Sequence, residues 1–304
     1  MGQGTAIAVP KTKINHGRLS DREVRRRDMR RTRVLIINGS PNGESGNTGL
    51  LINAFAQGLE EAGASVEKLS VRDLKINPCL GCFGCWDKTP GFCVQKKDDM
   101  ATVIQKMEEA DILVLGSPVH LDGITGPLMT LLGRTLVRTK PYQLLNDEGH
   151  LYHPKRVPNS GPKKMVFIGN CGFWEGSNFG PVLAHMKAVA GHLYTEFSGA
   201  LLRPHGPALG VFMNKIPSGP LNQRAVDVLD SAKQAGRELI ETGKMSEKSL
   251  EGVSRELVSR TGYQMLANGH FGFAIAKLYV AKFVKSLKVS VGNEGKIPTP
   301  LVVR

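Results

Sequence analysis

No stretch of this 304-residue chain approaches the ~18–20 consecutive apolar residues that a membrane-spanning helix needs, so no span is expected. The first residues also lack the apolar core of a secretory signal, which makes a cytoplasmic protein the expectation. Met1-Gly2 opens like an acylation signal, yet Ala6 stands where that signal wants Ser or Thr. No internal repeat is visible. The chain has five cysteines, four of them between Cys79 and Cys93, and in a cytosolic setting structural disulfides are not expected of them. No aromatic residue interleaves the arginines near the N-terminus, so a base-stacking platform for nucleic acid is missing there.

Charge is abundant but uneven. Of the net +13, more than half sits in the first 33 residues. There Lys11, Lys13, Arg18, Arg22, Arg25, Arg26, Arg27, Arg30, Arg31 and Arg33 outweigh Asp21, Glu23 and Asp28. Residues 1–32 read as a solvated, flexible basic arm, and nucleic acid is not the expected partner. Residues 203–304 read as a helical extension and tail, with helices over 222–243, 247–260 and 264–287.

Between these ends, apolar bursts alternate with helical patterns. Val34-Leu35-Ile36-Ile37 is a short run bounded by turn residues, the mark of a strand buried on both faces. Further strands are expected over 66–71, 111–116, 165–168 and 193–202, with helices between and a polar surface excursion over 138–162. Such alternation implies a parallel sheet with right-handed crossovers.

The first strand runs into Gly39-Ser40-Pro41-Asn42-Gly43-Glu44-Ser45-Gly46-Asn47-Thr48 and then a helix. A helix N-terminus offers free N–H groups and a positive dipole end, and this one is rich in hydroxyls. The loop holds no Lys, which excludes the triphosphate-binding Walker A pattern. Its glycine spacing is not Gly-x-Gly-x-x-Gly, which excludes the dinucleotide fingerprint. A monophosphate held by neutral donors and backbone amides fits best.

Gly39-Ser40-Pro41 followed by Gly46-Asn47-Thr48 resembles the phosphate loop of the flavodoxin-like NAD(P)H-dependent FMN reductases. Ser117-Pro118-Val119-His120 with Gly126-Pro127-Leu128 is similar to that family's second flavin loop, although His120 replaces the usual Tyr and Met129 the usual Lys. The resemblance implies an α/β fold with a doubly wound five-stranded parallel sheet of order 2-1-3-4-5 over residues 33–202. FMN would lie outside the carboxyl ends of the strands. Ser40, Asn42, Ser45, Asn47 and Thr48 would hold the phosphate. Pro118, Val119, His120, Leu121, Asp122 and Gly123 would hold the ring, and Cys171 and Gly172 would meet its pyrimidine edge. His120 is also a candidate proton donor.

Cys79-x2-Cys82-x2-Cys85-x7-Cys93 favours a [4Fe–4S] cluster over zinc, because zinc sites more often pair two Cys-x2-Cys units across a longer loop. Unmetallated thiols remain an open alternative. The run resembles the iron–sulfur flavoproteins of the same superfamily. The implied activity is hydride transfer from NAD(P)H to FMN, then reduction of a quinone, a free flavin or a similar small acceptor. An electron carrier docking redox proteins is the rival, and a redox sensor using the basic arm a third reading. A homodimer or homotetramer is implied by the resemblance alone.

Overall fold

The computed structural model describes residues 31–216 and 218–269, so the basic arm and most of the helix expected over 264–287 lie outside the described residues. Five strands form one parallel sheet: β1 (Arg33–Asn38), β2 (Ser65–Ser70), β3 (Ile112–Pro118), β6 (Lys164–Asn170) and β7 (Glu196–Arg203). Their spatial order is β2-β1-β3-β6-β7, the expected 2-1-3-4-5 once the two short strands of the excursion are set aside. Those two, β4 (Leu144–Leu145) and β5 (Leu151–Tyr152), pair as a separate antiparallel hairpin.

The three inner strands are apolar at nearly every position because each has a packed layer on both sides. In β1, Val34 and Ile36 face one core while Leu35 and Ile37 face the other. The in-register neighbours in β3, Ile112 and Val114 against Leu113 and Leu115, divide the same way. Each fully buried aliphatic side chain is worth about 1.5–3 kcal/mol, so this strand triplet dominates the stability of the sheet.

On the first face lie α1 (Asn47–Glu61), α5 (Gly206–Asn214), α6 (Pro220–Glu241) and α7 (Glu247–Ser254). On the second lie α2 (Met100–Glu109), α3 (Gly126–Gly133) and α4 (Gly180–His192). Helix α1 ends in a Schellman turn: the Gly63 N–H donates to the Glu60 carbonyl and the Ala64 N–H to the Leu59 carbonyl, with Gly63 at φ +90°. Helices α1 and α6 approach so closely that a Cβ on Gly58 would sit 1.8 Å from the Lys233 carbonyl oxygen, and one on Gly236 2.3 Å from that of Phe55. The helices after residue 203 thus share the core of the sheet. Residues 260–269 are helical again.

Candidate functional site

The chain leaves β1 at Asn38, whose side-chain oxygen accepts the Ser40 N–H at 2.9 Å. The Gly39 N–H donates to the Gly116 carbonyl at 2.7 Å, which fastens this loop to β3. Gly43 takes φ +57° to turn the chain, and a 3-10 turn over Gly43–Ser45 delivers it to α1. Helix α1 starts at Asn47 behind Gly46, with no side chain capping its first N–H groups. A Cβ on Gly49 would meet the Glu44 carbonyl oxygen at 2.2 Å, so the loop folds tightly onto the first turn.

Within this cradle Ser40 and Thr48 are buried, Asn47 is half-buried, and Asn42 and Ser45 are exposed. The Ser45 hydroxyl donates to the Asn42 carbonyl. Among the described residues the buried Thr48 hydroxyl has no partner. A buried hydroxyl left unpaired costs about 1–3 kcal/mol, and an uncapped helix N-terminus leaves its first N–H groups unsatisfied. Both deficits vanish if an anion occupies the loop, so the residues fit a bound phosphate. The loop's own sequence offers no cation. Arg72, just beyond β2, packs against Gly43 and brings one alongside, which the motif did not reveal.

The second loop follows β3. The buried Ser117 hydroxyl accepts the Thr125 N–H, and the Thr125 hydroxyl donates to the Gly39 carbonyl at 2.7 Å. Pro118 and Val119 are half-buried, and His120, Leu121 and Asp122 are exposed. His120 and Gly123 exchange backbone hydrogen bonds at 3.0 Å, closing a turn with Leu121 at φ +48° and Asp122 at φ +58°. Two successive left-handed residues, neither of them Gly, are strained, and such strain clusters at ligand-binding turns. Leu121 is fully exposed at its tip.

The third loop follows β6. Its start is stitched to the second by the Val119 N–H donating to the Asn170 carbonyl at 2.8 Å. Three loops at the carboxyl ends of β1, β3 and β6 are therefore tied together by Thr125 and Val119. Cys171 is buried, and burial pushes its thiol pKa up; Gly172 is exposed. The loop is held from behind by the chain's later segments. The Gly206 N–H donates to the Cys171 carbonyl, the His205 N–H to the Phe173 carbonyl, the Trp174 indole N–H to the Val258 carbonyl, and the Tyr263 hydroxyl to the Gly172 carbonyl.

Under that loop lies a buried cation. The Arg203 guanidinium donates to the carbonyls of Pro204 and Val253 and to His205 Nε2 at 2.7 Å. Burial lowers the Arg203 pKa to about 9. Burial first, and the Arg203 charge second, lower that of His205 to about 3, so the imidazole is neutral and accepts.

The cysteines occupy the long loop between β2 and α2. All are free thiols: Cys79 and Cys82 exposed, Cys85 buried, Cys93 half-buried. Gly81 and Phe83 both take positive φ. Burial first, and then Cys93 with Cys79 and Cys82, raise the Cys85 pKa, so the other three thiols lie within electrostatic reach of Cys85. Four soft thiols carried on one loop fit the donor chemistry of an iron–sulfur or zinc centre. Among the described residues no three His, Cys, Asp or Glu side chains are drawn into metal-holding geometry.

The sheet order and its three linked loops define a flavodoxin-like α/β protein with an anion cradle at the end of β1. The family model of the NADPH-dependent FMN reductases matches residues 32–149. An iron–sulfur flavoprotein of Methanocaldococcus jannaschii is 38% identical over 134 residues, 44% of this chain and 67% of that one. One from Archaeoglobus fulgidus is 36% identical over 115 residues, 38% of this chain and 54% of that one. The chain thus spans two thirds of the first relative and about half of the second. An FMN-dependent NADH-azoreductase from Bacillus anthracis, solved in complex with FMN, superposes with a TM-score of 0.49 at 15% identity, over 69% of this chain and all of that one, a likeness too loose to carry more. The chain belongs to the flavodoxin-like FMN reductase superfamily, on its iron–sulfur flavoprotein branch.

Proposed function

We propose that this protein binds FMN across the three linked loops, takes reducing equivalents from NAD(P)H and passes them to a small acceptor such as a quinone or a free flavin. The observation that carries the reading is the unpartnered, buried Thr48 hydroxyl at the uncapped start of α1. Thr48, Ser40 and the first N–H groups of α1 would hold the phosphate, with Asn42, Ser45 and Asn47 around them. The backbone of residues 118–123 would hold the ring, its strained turn fixing N–H and carbonyl directions. Cys171 and Gly172 would close the far edge. His120, exposed beside that turn, would hold a proton for the reduced acceptor. Bound FMN supplies the hydride and electron chemistry itself.

We extend the reading to a [4Fe–4S] centre on Cys79, Cys82, Cys85 and Cys93, and to a homodimer or homotetramer in the cytoplasm. A second reading, an electron carrier between redox proteins, is favoured by the exposure of Cys79 and Cys82, which would put such a centre within reach of a docked protein. Anaerobic purification followed by a visible spectrum and NADPH turnover with a quinone tests these together. Flavin bands and turnover support the reductase. Flavin without turnover, but with fast reduction by a ferredoxin, supports the carrier. A colourless protein that takes up no FMN overturns both.

A further inference from the structure

The loop that carries the cysteines is closed at its neck by a buried ion pair. Arg134, at the end of α3, and Asp98, just before α2, have side chains only 1% exposed. Arg134 Nη1 donates to Asp98 Oδ2 at 2.6 Å and to the Asn77 carbonyl at 2.7 Å. Asp98 in turn accepts the N–H groups of Asn77 and Met100 at 3.1 and 3.2 Å. Asn77 lies two residues before Cys79, and Asp98 five after Cys93, so one guanidinium grips both ends of the loop. Neighbouring rungs repeat the closure: the Gln95 amide donates to the Pro78 carbonyl, and the Asp99 carboxylate accepts the Lys75 N–H. Burial works against the Arg134 charge, but Asp98 and then Cys93 hold its pKa above the ordinary value, which puts the guanidinium within electrostatic reach of that thiol.

An ion pair taken out of water returns little net stability, because desolvation offsets the attraction; what such a pair does well is fix one arrangement. Here the arrangement fixed is the spacing of the cysteine loop's ends. Four thiolates drawn round one centre would repel one another, and a cation near them lowers that cost.

We propose that Arg134, held by Asp98, is a positioning residue for the four-cysteine centre: it fixes the neck of the loop that carries the thiols and keeps a positive charge near them. The inference rests on the reading that these cysteines ligate a metal centre. Partners that orient metal ligands from behind are typically worth 10–100-fold in metal affinity. The same cation would raise the reduction potential of an iron–sulfur centre built there, by favouring its more negative, reduced form.

The test uses the full-length, FMN-loaded, metal-free protein titrated anaerobically with Co2+, whose thiolate charge-transfer absorption reports ligation by cysteine sulfur. Wild type is expected to bind with that absorption, and Cys93→Ser to lose it. Arg134→Gln and Asp98→Asn should each weaken Co2+ by about tenfold or more with FMN content unchanged, and Arg134→Lys should recover part of the loss. The reconstituted Arg134→Gln protein should show a lower reduction potential. If wild type gives no thiolate absorption, or Cys93→Ser binds as wild type does, the metal-centre reading fails. If wild type binds and both neck variants match it within twofold, the positioning role fails. Should Arg134→Gln not fold, Asp98→Asn, nearly the same shape, decides alone.

Discussion

Removing the Thr48 hydroxyl should move two quantities in opposite directions. In Thr48→Val the side chain keeps its volume but loses a buried oxygen that has no partner among the described residues. Without ligand that oxygen is a liability of about 1–3 kcal/mol, so the apoprotein should be at least as stable as wild type. With FMN the same oxygen should donate to a phosphate, a charge-assisted bond worth about 1.5–3 kcal/mol, and its loss should raise the FMN Kd roughly 10–150-fold. The assay is paired: quenching of FMN fluorescence on binding, and thermal melting of the flavin-free protein. For a domain this size ~1 kcal/mol moves Tm by about 2–4 °C, so a gain of a few degrees alongside a weaker Kd is the expected signature. An FMN Kd within twofold of wild type would refute the assignment of Thr48 to the phosphate. A less stable apoprotein would refute the claim that the hydroxyl is unsatisfied without ligand.

Three further substitutions probe the frame around the site. Gly58→Ala puts a Cβ 1.8 Å from the Lys233 backbone oxygen and should cost about 1–3 kcal/mol or more in urea unfolding by prying α6 off α1; unchanged stability would contradict the close crossing. Tyr263→Phe removes the hydroxyl that donates to the Gly172 carbonyl. It should cost about 1 kcal/mol and shift the absorption of bound FMN, and an unshifted spectrum would separate this helix from the flavin site. His205, lowered to about 3 from 6.5, stays neutral in the folded protein while the unfolded chain takes up a proton below about pH 6.5. Its contribution to stability is therefore full above about pH 6.5 and lost as pH falls towards 3, by up to about 1.4 kcal/mol per unit. His205→Asn, which tolerates the left-handed φ of +42°, should flatten the pH 5–6.5 part of that slope in urea melts, and an unaltered slope would sink the assignment.

The inner strands and the first loop were readable in the sequence because their causes are local. Val34 to Ile37 must be apolar throughout when both faces of β1 are covered, and Gly63 had to follow α1 because its φ is left-handed. The expected helix over 247–260 instead stops at Ser254, where Arg255 turns extended and the Ser254 hydroxyl bonds back to the Leu202 carbonyl. That interruption depends on a strand fifty residues away, which no helical period can register. The exposed hairpin of β4 and β5 is equally silent, since two-residue strands carry no pattern. At the candidate site, the hydroxyl-rich loop announced an anion. Thr125, Asn170, Arg72 and the Arg134–Asp98 pair did not announce themselves, because each acts on a partner brought near only by the fold.

The strand order also explains why the cradle and the cysteines belong to one device. β2 is the edge neighbour of β1, so the chain that goes on to carry Cys79 to Cys93 departs beside the phosphate loop. Contact is immediate: Arg72, two residues past β2, packs on Gly43 of that loop, and Ser70 lies close to the same glycine. The cysteine loop is then held at its neck by Arg134, just past the end of α3, the helix that starts right after Thr125, whose hydroxyl bonds Gly39. Phosphate loop and cysteine loop are thus tied to the two ends of α3, through Thr125 before it and Arg134 after it. A shift of α3 as a whole would bear on both loops, whereas a change confined to Arg134 bears on the cysteine loop.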